Sequence, residues 1–296
     1  MHVLVVGATG LVGAEICGRL AASGQQVRGL VRSTSDPAIR HTLAQEGVEL
    51  VEGDLKDPAS LARACTGMDV VISTANSARS RAAGDSIETV DLNGQKNLVD
   101  AARTAGVRRF VYISFSTGKS ALSYAFKDAK LAVEKHLQAS GMDYVILRPA
   151  IFMEVWLSPP LGIDAAAGTA TLYGSGENPV SYVSAFDVAN VAGLAATTPG
   201  IENRVFMLGG PEAVKPNDVV RAFERRTGRP IAVQHVPEEA LKAQYESATD
   251  PLTRSFAAMM LMYAGGDPVD MRETLAAFPV TLKSVADHVE RAAARP

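Results

Sequence analysis

Short apolar runs alternate with amphipathic stretches through the first half of the chain. The runs His2–Val6, Gln26–Val31, Val48–Glu52, Val70–Thr74, Phe110–Ser114 and Tyr144–Leu147 are rich in Val and Ile, several of them apolar at consecutive positions. Strands buried on both faces carry this pattern, which predicts a parallel sheet. Between them the spacing turns helical over Leu11–Ala22, Ile87–Thr104 and Ala125–Ala139, with a short turn near Pro58–Cys65. Regular strand–helix–strand alternation is the βαβ signature. Gly24, Gly106 and Gly141 follow the helical runs, and Asp57-Pro58 reads as an N-cap with proline at the first helical position.

The alternation ends at Arg148-Pro149. Residues 174–179 form a loop, and Val205–Leu208 reads as a buried strand that returns to the main sheet. Asn217–Thr227 reads as a helix capped by Asn217, Ile231–His235 as a short strand, and the pattern after Pro237 as mostly helical. The expected fold is α/β, a Rossmann-type doubly wound parallel sheet over residues 1–150, with residues 151–296 forming mostly a smaller C-terminal lobe.

Composition narrows the function. With 29 Lys+Arg against 32 Asp+Glu, the net charge is 29 − 32 = −3, so a basic surface for nucleic acid is not expected. Cys17 and Cys65 make no disulfide scaffold and fit a reducing cytoplasm. The five histidines have no zinc-like spacing, so no metal is expected. The longest apolar run, Phe256–Ala264, falls well short of the ~20 residues that cross a membrane. The N-terminus enters the first strand without a basic region or cleavage site, so no signal peptide is expected.

The densest chemical signal is Gly7-Ala8-Thr9-Gly10-Leu11-Val12-Gly13, set between the first strand and the first helix. Glycines permit a tight turn and close approach of a pyrophosphate. The helix N-terminus adds N–H groups and partial positive charge. A structural turn packed with small residues is the other account of this loop. At the end of the second strand a dinucleotide fold places a carboxylate for NAD or a cation for the 2′-phosphate of NADP. Here Leu30-Val31-Arg32-Ser33-Thr34 presents Arg32, which favours NADP(H). An Arg–phosphate contact is worth about 1.5–3 kcal/mol, roughly 10- to 150-fold. A solvated surface arginine is the alternative.

The G-x-x-G-x-x-G spacing resembles that of the atypical short-chain dehydrogenase/reductase superfamily. Further resemblance lies in Gly53-Asp54-Leu55, Ser73-Thr74-Ala75-Asn76, Phe110–Ser114, Lys130-x-x-x-Glu134, Leu147-Arg148-Pro149-Ala150 and, more loosely, Val183–Val191. Within it the chain is most similar to the NmrA-like, isoflavone-reductase-like branch. That resemblance implies that Asp54, Leu55, Ala75, Asn76 and Ser114 join the glycine loop, including Thr9, Leu11 and Val12, in binding the cofactor. A turn cap is an alternative role for Asp54. It also implies Lys130 and Ser116 as catalytic residues, with Ala150, Phe152, Met153 and Trp156 leading into a substrate pocket. The superfamily's usual Tyr, four residues before the lysine, is Phe126 here, which joins the pocket instead. Tyr124 is six residues from Lys130, about 120° off its face in a regular helix. A surface pair with Glu134 is the alternative for Lys130, a helix cap for Ser114 and Ser116, and plain core for the Met and aromatic positions.

The resemblance implies an NADPH-dependent reductase acting on a small, largely apolar carbonyl, enone or quinone-like molecule. A non-catalytic NADP(H)-binding sensor or regulator is the alternative, kept open by Phe126. A nucleotide-sugar epimerase needs the missing Tyr. The expected partner is a small molecule, not nucleic acid or a membrane, and the sequence leaves the oligomeric state open.

Overall fold

In a computed structural model, residues 1–78, 80, 82–118 and 120–293 are described. The first half runs β1 (His2–Val6), α1 (Leu11–Ala22), β2 (Gln26–Val31), α2 (Pro37–Gln45), β3 (Glu49–Glu52), α3 (Pro58–Cys65) and β4 (Val70–Ser73). A π-helical segment, Ile87–Gly94, then passes straight into α4 (Gln95–Thr104), followed by β5 (Arg109–Ile113), α5 (Ala125–Gln138) and β6 (Asp143–Pro149). The strand order is β3-β2-β1-β4-β5-β6, every pair parallel, and β9 (Arg204–Leu208) joins the β6 edge. This is a Rossmann-type α/β fold.

The apolar runs explain the centre of this sheet. Val3, Leu4, Val5, Val70, Val71 and Ile72 are fully buried. Each such side chain contributes about 1.5–3 kcal/mol relative to exposure. Strand order reverses between β1 and β4, and a crevice opens at the carboxyl ends of strands at such a switch point. Arg109, buried at the start of β5, donates to the carbonyls of Ala195 (2.9 Å) and Thr198 (2.7 Å) at the end of α7 (Ala185–Thr197). A cation there satisfies helix carbonyls and opposes the negative end of the dipole.

The chain divides into two compact units. One comprises residues 1–115, 125–148 and 188–206, the other residues 116–124, 149–187 and 207–296. The second unit holds α6 (Met153–Trp156), β7 (Ile163–Asp164), β8 (Thr169–Tyr173), α8 (Pro216–Thr227), β10 (Ala232–Val236), α9 (Glu238–Ser247), α10 (Pro251–Gly265), α11 (Arg272–Ala277) and α12 (Val285–Ala293). Its sheet has the order β10-β8-β7. Its core includes Met153, Tyr182, Val219, Phe223 and Tyr263.

Several elements depart from the pattern-based expectation. Pro58–Cys65 is a full helix, with Asp57 accepting from the Ala59 amide at 3.0 Å. Helix α2 begins with the same device, Asp36 before Pro37, yet only Leu43 is buried, so no apolar stripe announces it. The β7–β8 pair was not expected. Asn217 does not cap α8, since Lys215 stands at the N-cap. The Asn217 amide instead donates to Ser175 O (3.1 Å) and Glu177 Oε1 (2.8 Å), so it holds the neighbouring loop.

Candidate active site

Two of the three loop glycines are demanded by the fold. Gly7 has φ +88°, and a Cβ there would stand 2.6 Å from Thr74 Oγ1 and 2.9 Å from the Ala75 amide nitrogen. A Cβ on Gly13 would stand 2.1 Å from Gly7 O, so the first turn of α1 rests directly on the loop. Gly10 differs. Its φ of −82° suits any residue, and the nearest atom to an added Cβ is Gly7 O at 3.2 Å. It occupies the N-cap of α1 without a side-chain cap. The first-turn amides, those of Leu11 and Val12 among them, therefore form an open helix N-terminus, and Leu11 is exposed although apolar. This end lies at the β1–β4 switch point, where an anion fits.

The loop is tied to the end of β2. Thr9 Oγ1 donates to Ser35 Oγ at 3.4 Å, and Ser35 Oγ accepts from the Arg32 amide at 3.0 Å. The Arg32 guanidinium is half-exposed and ion-paired with Asp85 at 2.6 Å, so it is not a merely solvated arginine. Asp54 takes the turn-cap role. Its carboxylate accepts from the Lys56 amide and ammonium at 2.8 and 2.9 Å. Leu55 points its side chain into the core. Ala75 O accepts from Gln95 at 2.8 Å, and Asn76 Oδ1 accepts from the Ala78 amide at 3.1 Å.

Lys130 is 2 % exposed, which removes the surface-pair account. Glu134 instead takes a bidentate bond from Arg148, at 3.0 and 2.5 Å. Lys130 Nζ donates to Ile113 O at 3.2 Å, immediately before Ser114, and lies 4.9 Å from the Tyr112 ring centroid and 5.6 Å from that of Phe126. Phe126 is packed edge-to-face on Phe115 at 5.5 Å. Burial holds the Lys130 ammonium below the ordinary lysine range, with the charges of Asp91 and Glu134 opposing. Asp91 comes from the π-helical segment, is fully buried, and accepts from the Ser77 amide (3.1 Å) and hydroxyl. Burial pushes its carboxyl up, against the Lys130 charge and those bonds. Nothing local in the sequence marks Asp91. Its place follows from a π turn, a geometry often found at functional sites. The buried hydroxyls of Tyr112 and Ser114 lack a hydrogen-bond partner among the described residues. Buried hydroxyls normally have one, so this end of β5 has donors and acceptors to offer a ribose or an amide.

In the second unit, Ser116 is buried and donates to Asp267 Oδ1 at 3.1 Å while accepting from the Gly118 amide. Its role is a loop bond to Asp267, not a helix cap. Asp267 is 3 % exposed, and its Oδ2 has no partner among the described residues. Burial pushes its carboxyl up, and the Ser116 bond offsets part of the rise. A cleft of ≈ 330 Å³ beside it is lined by Leu122, Pro179, Leu261, Met262, Gly266 and Pro268. Of the expected pocket residues in this unit, Met153 is wholly buried core and Ala150 is buried. Phe152 is half-buried, and Trp156 stacks on Tyr263 at 5.0 Å with its ring against Tyr173 at 6.0 Å. Among the described residues no group of three or more His, Cys, Asp or Glu is arranged to hold a metal ion, and no helix is long and apolar enough to cross a membrane.

The NmrA-like family model matches residues 1–280. The chain belongs to the NmrA-like family. This NmrA-like chain is 32% identical over 266 residues to the isoflavone reductase homolog IRL of Zea mays, covering 84% of this chain and 82% of that protein. It is 30% identical over 281 residues to an NAD(P)H azoreductase of Xenophilus azovorans, covering 89% of each. It is also 30% identical over 237 residues to the photosystem II assembly factor Ycf39 of Cyanophora paradoxa, covering 80% of this chain and 72% of that factor. The relatives of this chain thus include an azoreductase, an isoflavone reductase homolog and an assembly factor.

Proposed function

We propose that this NmrA-like protein is an NADPH-dependent reductase that delivers a hydride to a small, largely apolar carbonyl, enone or quinone-like substrate. The observation that carries this reading is Lys130, a buried ammonium held at the end of β5 in the unit that contains the open glycine loop. Desolvating a lysine costs several kcal/mol, and a cation kept there at that cost suits a functional site. The azoreductase and isoflavone-reductase relatives support the reaction class.

NADPH supplies the hydride when bound. Gly7, Gly10 and Gly13, with the Leu11 and Val12 amides, suit the pyrophosphate, and Arg32 suits the 2′-phosphate. Lys130 and Ser114 suit the nicotinamide ribose. The neighbourhood of Asp54, Leu55, Ala75 and Asn76 suits the adenosine half, although the Asp54 and Asn76 side chains and the Ala75 carbonyl already hold local hydrogen bonds. Reduction of a carbonyl also consumes a proton at oxygen. Phe126 has none to give, so the proton comes from Lys130 through water or from the solvent. The cleft lined by Leu122, Pro179, Leu261 and Met262 supports a largely apolar substrate.

Following NADPH oxidation with quinone, enone and aldehyde panels tests this reading. Turnover of at least one class is expected. The second reading, an NADP(H) sensor without turnover, draws on Phe126 and on the assembly-factor relative. It predicts different affinities for NADPH and NADP+ with no oxidation on any panel. For cofactor choice, NADPH is expected to bind at least tenfold tighter than NADH at low salt. Arg32→Ala should remove most of that gap while leaving NADH nearly unchanged, because NADH has no 2′-phosphate for the guanidinium to bind. Equal affinities in the unmutated protein would assign Arg32 to Asp85 alone.

A further inference from the structure

Arg32 is not the only cation at the end of the second and third strands. Lys56, from the turn after β3, bonds Asp85 Oδ1, while Arg32 Nη1 lies 2.6 Å from Asp85 Oδ2. Ser80 Oγ donates to the same Oδ2. The Asp85 side chain is 2% exposed, whereas those of Arg32 and Lys56 are 41% and 29% exposed. The carboxylate is therefore covered by its donors, and both cations keep an open face. A guanidinium, an ammonium and a hydroxyl converging on one anion form the donor set that recognises a phosphate monoester. Among the described residues of this cluster, Arg32 and Lys56 are matched by Asp54 and Asp85, so the net charge is zero. A phosphate carrying −1.5 to −2 charges gains little from a neutral cluster while Asp85 keeps its place. Once Asp85 leaves, Arg32 and Lys56 face only Asp54, so the cluster presents a net charge of 2 − 1 = +1 to the phosphate.

We propose that Arg32 and Lys56 together form the seat of the 2′-phosphate of NADP(H), and that Asp85 occupies this seat in the cofactor-free protein and yields it to the phosphate. The inference rests on the NADP(H)-binding reading above and adds a second specificity residue and an internal competitor to it. Burial opposes the charge on Lys56, but its bonds to Asp85 and Asp54 hold it charged; burial likewise opposes the charge on Asp85, whose donors Lys56, Ser80 and Arg32 keep it ionised. Both partners are thus ionised across the neutral pH range. Asp85 also directly precedes Ser86, whose hydroxyl caps the π-helical segment through a reciprocal bond with Thr89. That segment carries Asp91 toward Lys130, so displacement of Asp85 acts at the root of the helix that faces the buried lysine.

The test is fluorescence titration of NADPH and NADH into the full chain at low salt, for the unmutated protein, Lys56→Met and Asp85→Asn. Lys56→Met is expected to weaken NADPH by about tenfold and leave NADH unchanged. Asp85→Asn is expected to tighten NADPH by about tenfold, again without effect on NADH. The proposal is overturned if Lys56→Met leaves the NADPH-to-NADH ratio unaltered. It is overturned equally if Asp85→Asn weakens NADPH, because Asp85 would then be holding the cations in place. Loss of NADH affinity alone in Asp85→Asn would assign the carboxylate to a ribose hydroxyl and also sink the idea. Should Asp85→Asn unfold, Asp85→Ser and the part-exposed Lys56→Met carry the same comparison, with circular dichroism as the check on folding. Failure of the unmutated protein to bind either nucleotide would count against the cofactor reading itself, an outcome distinct from all of these.

Discussion

Replacing Gly10 by Val is expected to weaken NADPH binding by at least ~100-fold while the protein stays folded. The backbone at Gly10 has a φ open to any residue, and an added Cβ meets only a 3.2 Å approach to Gly7 O. The fold therefore accepts a side chain there at a cost of about 1 kcal/mol, the scale of an N-cap exchange. In the proposed complex the isopropyl group fills the space into which a pyrophosphate must come to reach the first-turn amides of α1. Gly13→Ala gives the opposite signature. Its Cβ would stand 2.1 Å from Gly7 O, so helix and loop must separate, and a loss of about 1–3 kcal/mol in stability is expected. Titration and thermal unfolding of the two variants side by side separate the two roles. Full NADPH affinity in Gly10→Val would show that the loop is a structural turn and nothing more.

The second large effect is at Lys130. Lys130→Met keeps length and helix propensity but removes the charge and its donors. A fall in kcat/KM of about 100-fold or more is expected on a substrate found in the panel, the scale of a positioned acid–base group. Stability should change little or rise, since an apolar chain replaces a desolvated cation. The pH profile adds an independent check. If the ammonium is the working form, activity falls as pH rises through the Lys130 pKa. Burial holds that pKa below the ordinary lysine range, so the alkaline limb comes early. Phe126→Tyr should restore little, because Phe126 is packed on Phe115 and its pocket was not shaped around a hydroxyl. Intact turnover in Lys130→Met would remove Lys130 from the chemistry. If no panel substrate is turned over, yet Lys130→Met weakens NADPH binding, the sensor reading takes its place.

The amino-acid pattern alone is enough to read the parallel sheet and the position of the glycine loop. Strands such as Val70–Ser73 are buried on both faces, so their Val and Ile runs can be read without knowing their neighbours. The first-half helices were legible where an apolar stripe exists, and α2 was missed because it buries only Leu43. The loop between β1 and α1 was legible because its contacts are local. Whether its glycines serve fold or ligand was not, since that depends on Thr74 and Ala75, more than sixty residues away, and on the depth of Gly13 against Gly7. The family resemblance points to Lys130, while Lys-x-x-x-Glu on a helix also reads as a surface pair. The tertiary structure settled its burial by giving Glu134 to Arg148 and leaving the lysine over Tyr112. Asp85, which lies 53 positions from Arg32, and Asp267, which lies 151 from Ser116, have no local signature. Side chains that meet only across the fold carry no periodicity to announce them. Local pattern therefore names the strands and the turn, the family resemblance adds the lysine, and tertiary packing decides which charges face one another.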